Sequence, residues 1–206
     1  MTNFRVVVLS AVILSGLMAC SAAPEAPVSL RIFATEPGQK LTAPSSALPV
    51  EALAQYLGRS TTGLVVERSG VGADGVTHVR VAQELGGVRV VGAYARAAVL
   101  PSGALVHVID TLVPEQPVPA ATLTESEALR LAMTHHGYAA VAMGERGRAG
   151  TVTTFEPTAQ LFNAPTVERV AYVDGLGAVQ GGFLVQTWSL KKNLLHHTLL
   201  ADDGSV

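Results

Sequence analysis

Two glycine-centred turns constrain what this chain can fold into more than any other feature of the sequence. They separate three strand-like runs, Thr77–Leu85, Val88–Leu100 and Ala104–Asp110. Gly86-Gly87 lies between the first two runs, and a two-residue glycine loop supplies the positive φ angles that a tight hairpin needs. Pro101-Ser102-Gly103 lies between the second and third, where Pro presets φ and Gly closes the turn. The stretch predicts an antiparallel meander.

Within the first run, Val79 and Val81 alternate with His78, Arg80 and Ala82. This period of two is typical of a strand with one buried and one polar face. The meander is therefore expected to have one solvent-exposed face.

A helix is predicted on each side of the meander. Pro49 can open the first, in which the apolar residues of Val50–Leu57 fall on one face, and Gly58 is suited to its end. Thr124-Glu125-Ser126-Glu127 is a capping-box pattern that begins the second, and Gly137 ends it.

Four strand-like runs follow the second helix: Thr151–Glu156, Val167–Asp174, Gly182–Leu190 and Leu194–Ala201. The intervening segment Glu145–Ala149 is polar and is predicted to be a loop. Helices combined with antiparallel strands predict an α+β fold, with antiparallel sheets each packed by a helix.

Prolines divide the chain into segments. Pro114, Pro117 and Pro119 break the strand pattern and predict a boundary between a first domain, residues 49–112, and a second, residues 122–206. Residues 20–48 are rich in Pro, Ala and Ser and predict an extended tether, in which Leu30-Arg31-Ile32-Phe33 is a candidate short strand.

Residues 1–19 are predicted to be an export signal, with Arg5 in a short positive region and an apolar stretch too short to span a bilayer. The signal ends Leu17-Met18-Ala19-Cys20, which resembles a bacterial lipobox and makes Cys20 the candidate lipidated residue. The alternative is an ordinary secretory signal with Cys20 incidental. We therefore expect an exported protein, either anchored to the cell envelope through lipid on Cys20 or secreted.

Composition excludes several classes of protein. The chain is 49% hydrophobic and 15% charged, which excludes disorder for most of it. A net charge of −2 without a cluster of Lys and Arg argues against a nucleic-acid partner. The single cysteine permits no internal disulfide.

The meander also carries a set of residues that resembles the core of the fungalysin/thermolysin propeptide (FTP) domain. These motif positions are His78, Arg80, Gln83, Gly87, Val90, Gly92 and Gly103. Leu85 and Arg89 depart from the family, which usually has an aromatic residue and a proline there. The second domain resembles a PepSY domain, a cystatin-like module, and the closing residues 201–206 resemble the end of that family's pro-region.

The resemblance implies the pro-region of a secreted zinc metallopeptidase, which helps the protease to fold and holds it inactive. Its partner would be the peptidase catalytic domain, in cis or in trans, and zinc would be held by that partner only. The polar motif positions would line the interface with the peptidase or join neighbouring strands.

The residues themselves favour no catalytic, cofactor or metal site on this chain. The GxGxxG of Gly70–Gly75 precedes a strand rather than a helix, so it predicts a hairpin loop instead of a dinucleotide site. The sequence contains no HExxH or GxSxG motif. His135-His136 and His196-His197 are adjacent pairs whose members point apart, and they are expected to be surface residues.

Two functions follow as hypotheses. The first is a non-catalytic pro-region that acts as folding helper and inhibitor of a zinc metallopeptidase. The second is a stand-alone envelope lipoprotein that binds or inhibits a protein partner.

Overall fold

The computed structural model describes the backbone of residues 31–34 and the chain over residues 48–139 and 141–206. Its helices are α1 (Pro49–Tyr56) and α2 (Glu125–His135), and its strands are β1 (Arg31–Ala34), β2 (Leu64–Val71), β3 (Thr77–Leu85), β4 (Val88–Val99), β5 (Leu105–Asp110), β6 (Glu145–Ala149), β7 (Val152–Phe155), β8 (Thr166–Val173), β9 (Val179–Ser189) and β10 (Leu194–Ala201). The predicted signal, Cys20 and most of the predicted tether lie outside the described residues. Among those described, no helix is long and apolar enough to span a bilayer.

The first half of the structure is an antiparallel meander, as the glycine turns predict. Strands β2, β3, β4 and β5 pair in chain order, and β1 adds to the outer edge of β5. Gly86 and Gly87 have φ angles of 57° and 80°, which allow the two-residue turn between β3 and β4. Val79 and Val81 are buried and His78 is exposed, which confirms the predicted alternation over these residues, whereas Ala82, expected on the polar face, is buried.

Helix α1 covers one face of this meander. It begins at Pro49, where the missing N–H costs nothing, and it places Ala52 and Leu53 fully inside the core. The strand residues packed with them include Val81 and Val108. Complete burial of a Leu or Val side chain stabilises the fold by about 1.5–3 kcal/mol. Among the described elements, only α1 packs on this meander, so they leave its other face open.

The second half repeats the arrangement with α2 on one face of β7–β10. Both hydrogen bonds of the predicted capping box are present between Thr124 and Glu127. Leu129 and Met133 of the helix are buried against strand residues such as Phe183.

The prediction that Glu145–Ala149 is a loop is wrong, because this segment forms strand β6 and pairs with β7. All five of its residues are exposed, so the segment lacks the apolar alternation that marks a strand in sequence. Arg148 forms ion pairs with Glu125 of α2 and with Glu145. The strand therefore forms through backbone pairing at a sheet edge rather than through burial.

The fold is α+β with a helix packed on the strands of each half, as expected, and the strands of the two halves are continuous in one ten-stranded sheet. The connection is a parallel contact between Val90 of β4 and Ala171 of β8. Both residues are buried in a small apolar cluster that also contains Leu85, Ala93, Val113 and Val179. We call this contact and cluster the joint.

Gly92 allows β4 to reach the joint. Strand β4 pairs with β3 up to Arg89 and again from Tyr94, and the residues between have no partner on β3. Gly92 lies in this gap with a φ of 80°, a conformation that L side chains rarely adopt. Thr111 holds the kink, since its hydroxyl donates to the Gly92 carbonyl at 2.8 Å and accepts from the Tyr94 N–H at 3.0 Å.

An ion pair crosses the joint. Both Nε and Nη2 of Arg89 on β4 donate to the Glu168 carboxylate on β8, at 2.8 and 2.6 Å. The hydrogen-bonded carboxylate raises the pKa of the Arg89 guanidinium, although partial burial opposes that shift. A proline at this position would lack this pair, so the departure from the FTP pattern at Arg89 has a structural role.

The side chain of Gln83 binds the linker between β5 and α2 at Val113, which belongs to the joint. This side chain is 3% exposed, donates through Nε2 to the Val113 carbonyl at 2.8 Å and accepts through Oε1 from the Val113 N–H at 2.8 Å. The Val113 carbonyl also accepts a hydrogen bond from Nη1 of Arg59 at 2.7 Å. The Val113 N–H, in contrast, donates to Gln83.

We expect Gln83→Met to destabilise the protein by about 1–3 kcal/mol, because it leaves the buried Val113 N–H without an acceptor. Urea unfolding followed by circular dichroism measures this change. Gln186→Met, at an exposed position of β9, is the matched control and should shift stability by no more than about 0.5 kcal/mol. Equal effects of the two substitutions would show that the contact with Val113 contributes nothing.

Candidate functional site

The open face of the first half carries a concentration of polar side chains. It is a shallow depression of about 680 Å³ on the side of the sheet away from α1. We call it the arginine face; its polar lining consists of Glu67, Arg68, His78, Arg80, Arg96 and His107.

Strand register brings three arginines side by side. Arg68 pairs with Arg80 across β2 and β3, and Arg80 pairs with Arg96 across β3 and β4. Like charges directly opposite one another destabilise a sheet. Such a row therefore needs local compensation, or a binding partner, to offset the repulsion.

Glu67 and Tyr94 supply the local compensation. The strand register shifts between Val66 and Arg68, and the intervening Glu67 forms an ion pair with Arg80 at 2.6 Å. Both side chains are 38% exposed, so this pair contributes at most about 1 kcal/mol. The guanidinium carbons of Arg80 and Arg96 lie 4.6 and 5.1 Å from the centre of the Tyr94 ring, within the range of cation–π attraction.

The arginine face keeps an excess of positive charge, because its lining contains three guanidinium groups and one carboxylate. Guanidinium groups donate paired hydrogen bonds to carboxylates and phosphates with matching geometry. His78 and His107 flank the row, with ring centres 6.5 Å apart. The arrangement is suited to holding an anionic surface.

The structure divides the motif positions among three places. His78 and Arg80 lie on the arginine face. Gln83, Val90 and Gly92 build the joint and the kink that leads to it, while Gly87 and Gly103 form turns at φ angles of 80°. Arg68 and Arg96 complete the face, and sequence reasoning missed them because only the register across three strands brings them to Arg80.

The GxGxxG segment forms the hairpin between β2 and β3, as predicted. The N–H of Gly72 donates to the Val76 carbonyl at 2.8 Å, and the Asp74 carboxylate accepts from the Val76 N–H at 3.1 Å. Within the described residues, no group of three or more His, Cys, Asp or Glu side chains is placed to hold a metal ion.

Histidines from the two predicted surface pairs meet in the second half. His136, the cap residue that directly follows α2, stacks on His196 of β10 with ring centres 3.9 Å apart. Its Nε2 lies 2.7 Å from the hydroxyl of Thr198, which is buried. The sequence treats each adjacent pair separately, so it contains no signal for this contact between members of different pairs.

Comparison of the sequence with protein-family models and with curated proteins finds no match. Function is therefore inferred from the residues of this chain: the arginine face, the joint and the resemblance carried by the motif positions.

The histidine contact predicts loss of stability in acid. Burial lowers the pKa of His136, and the charges of His196, His135 and Lys192 lower it further. The unfolded chain, with a histidine pKa of about 6.5, therefore binds a proton more readily than the folded protein. Stability from this site is fully present above that pH and is lost as the pH falls through the lower, folded value.

We expect His136→Asn to flatten the fall in unfolding free energy between about pH 7.5 and pH 5, a range chosen around the unfolded histidine pKa. Urea unfolding at a series of pH values gives the slope. His197→Asn, at an exposed position of the same strand as His196, is the control and should leave the slope unchanged. Identical slopes for wild type and His136→Asn would contradict the prediction.

Proposed function

We propose that this chain is a non-catalytic pro-region that helps a fungalysin- or thermolysin-like zinc metallopeptidase to fold and keeps it inactive. The arginine face is the observation that most favours this function. It is an uncovered, positively charged sheet surface that includes His78 and Arg80, two motif positions by which the chain resembles the FTP family.

Inhibition of this kind requires a rigid complementary surface rather than catalytic groups. The joint supports that requirement, because the Arg89–Glu168 pair and the Gln83–Val113 hydrogen bonds link both halves. A preorganised surface loses little conformational entropy on binding. In the proposed complex the arginines contact carboxylates beside the active-site cleft of the peptidase.

The neighbouring edge strand supports a role in folding. Of the described strands, β2 pairs only with β3, and every residue after Leu64 is exposed. A free edge of this kind can pair with a strand of another domain through backbone hydrogen bonds. Strand β2 adjoins the arginine face, so one partner can use both surfaces at once.

A stand-alone envelope lipoprotein is the alternative. The sequence Leu17-Met18-Ala19-Cys20 favours it, since lipid on Cys20 would retain the product at a membrane. Both functions use the arginine face for a protein partner. They differ in whether the chain is made as part of a peptidase precursor.

Loss of the arginine charges should weaken inhibition. We expect the full chain to lower the activity of a zinc metallopeptidase purified from the source cell, and Arg80→Gln with Arg96→Gln to raise the inhibition constant about tenfold or more. Added salt should reduce the wild-type effect, because exposed charges are screened. Peptide-substrate hydrolysis measures inhibition, and recovered activity after dilution from urea measures assistance with folding.

Arg130→Gln with Arg146→Gln removes the same charge from exposed positions of the second half and serves as the control. Equal inhibition by both double variants would exclude the arginine face as the contact. The origin of the product is tested separately with an antibody against residues 49–110. A stable membrane-bound species near 21.3 kDa with no larger precursor would contradict a pro-region in cis and favour the lipoprotein.

A further inference from the structure

Apolar side chains gather at the tip of the hairpin between β9 and β10. The hairpin patch consists of Phe162, Trp188, Leu190 and Leu195. Phe162 is 59% exposed, and Leu190 and Leu195 are 53% and 46% exposed. Apolar side chains this exposed and this close together mark an interaction surface when they are contiguous.

The patch is preformed. Trp188 and Leu195 are directly opposite in the β9–β10 register, so their side chains lie on the same face of the hairpin. The ring of Phe162 lies 5.0 Å from that of Trp188, and the Phe162 N–H donates to the Trp188 carbonyl at 2.8 Å. The indole N–H of Trp188 donates to the Asn193 side chain at 3.1 Å.

The charge around the patch is positive. Lys191 and Lys192 occupy the turn between β9 and β10, and both are exposed. The sequence contains no Asp or Glu over residues 157–167 or 175–201, which are the segments that supply the patch. The tip therefore combines exposed apolar side chains with cations and has no carboxylate of its own.

We propose that the hairpin patch docks on the surface of an anionic phospholipid bilayer. Aromatic side chains favour the interface between lipid and water, and leucines beside them can enter the acyl region. Lys191 and Lys192 are placed to contact anionic headgroups. A depression lined in part by Leu190, Lys191 and Lys192 adjoins the turn. Because this part of the chain carries lysines and no carboxylate, its charge is complementary to that of an anionic lipid surface. The proposal depends neither on the pro-region function nor on lipid at Cys20.

Trp188 makes the proposal directly testable, because it is the only tryptophan in the chain. The full chain is mixed with vesicles of phosphatidylethanolamine and phosphatidylglycerol, or of phosphatidylcholine alone, and tryptophan emission is recorded. We expect a blue shift with the anionic vesicles only, and quenching when their acyl chains are brominated. These signals report on the patch even if the N-terminal segment also binds lipid.

Three paired substitutions locate the contact. Leu190→Ser with Leu195→Ser should abolish quenching by brominated lipid, because the apolar side chains that enter the bilayer beside Trp188 are lost. Lys191→Gln with Lys192→Gln keeps the apolar surface and should weaken binding about tenfold at low salt. Val65→Ser with Val66→Ser, at exposed positions of β2, is the control and should leave quenching unchanged.

Several results would overturn the proposal. Trp188 emission that stays unchanged while the chain sediments with anionic vesicles would show that another segment binds lipid. Equal quenching with phosphatidylcholine vesicles would exclude the role assigned to the lysines. Absence of quenching, together with loss of peptidase inhibition in the leucine variant, would assign the patch to a protein partner instead.

Discussion

The structure depends on strand β4, which belongs to both halves of the molecule. It pairs with β3 up to Arg89 and again from Tyr94, whereas Val90, in the interval between, contacts β8. Gly92 permits the change of direction, and Thr111 fixes it. Because Gln83 and Arg89 bind the linker and β8 beside this point, the two helix-covered sheets continue into one another.

In both halves joined by β4, the buried residues that stabilise the fold and the surfaces available for binding lie on opposite faces of the sheet. Each helix covers one face of its own half, and the hydrophobic free energy is concentrated there. On the uncovered side, the first half presents cations around Tyr94 and the second half presents an apolar tip around Trp188. The surfaces differ in chemistry, so they suit different partners: carboxylates at the first and a lipid interface at the second.

Local signals account for the parts of the fold that the sequence predicts well. The turn at Gly86-Gly87 and the capping box at Thr124 each depend on residues close together in the chain, and both form as expected. Strand β6 pairs with the neighbouring β7 but is exposed throughout, so it lacks the apolar alternation that would reveal it in the sequence. The joint arises from contacts between distant residues, for which the hydrophobic period carries no information. The arginine face is intermediate: alternation places Arg80 outward, but the register with β2 and β4 is needed to add Arg68 and Arg96.

The positions that carry the family resemblance form two groups: some are explained by the fold, and others are available to a binding partner. Gly87, Gly92 and Gly103 adopt positive φ angles, so any protein with these turns and this kink would favour glycine there. Gln83 is buried against Val113 and is likewise explained by the fold. Such residues support a shared architecture and carry no information about a partner. His78 and Arg80 lie on the open face of the sheet and not in the core. They and the arginines that the strand register adds are therefore the residues that favour a pro-region.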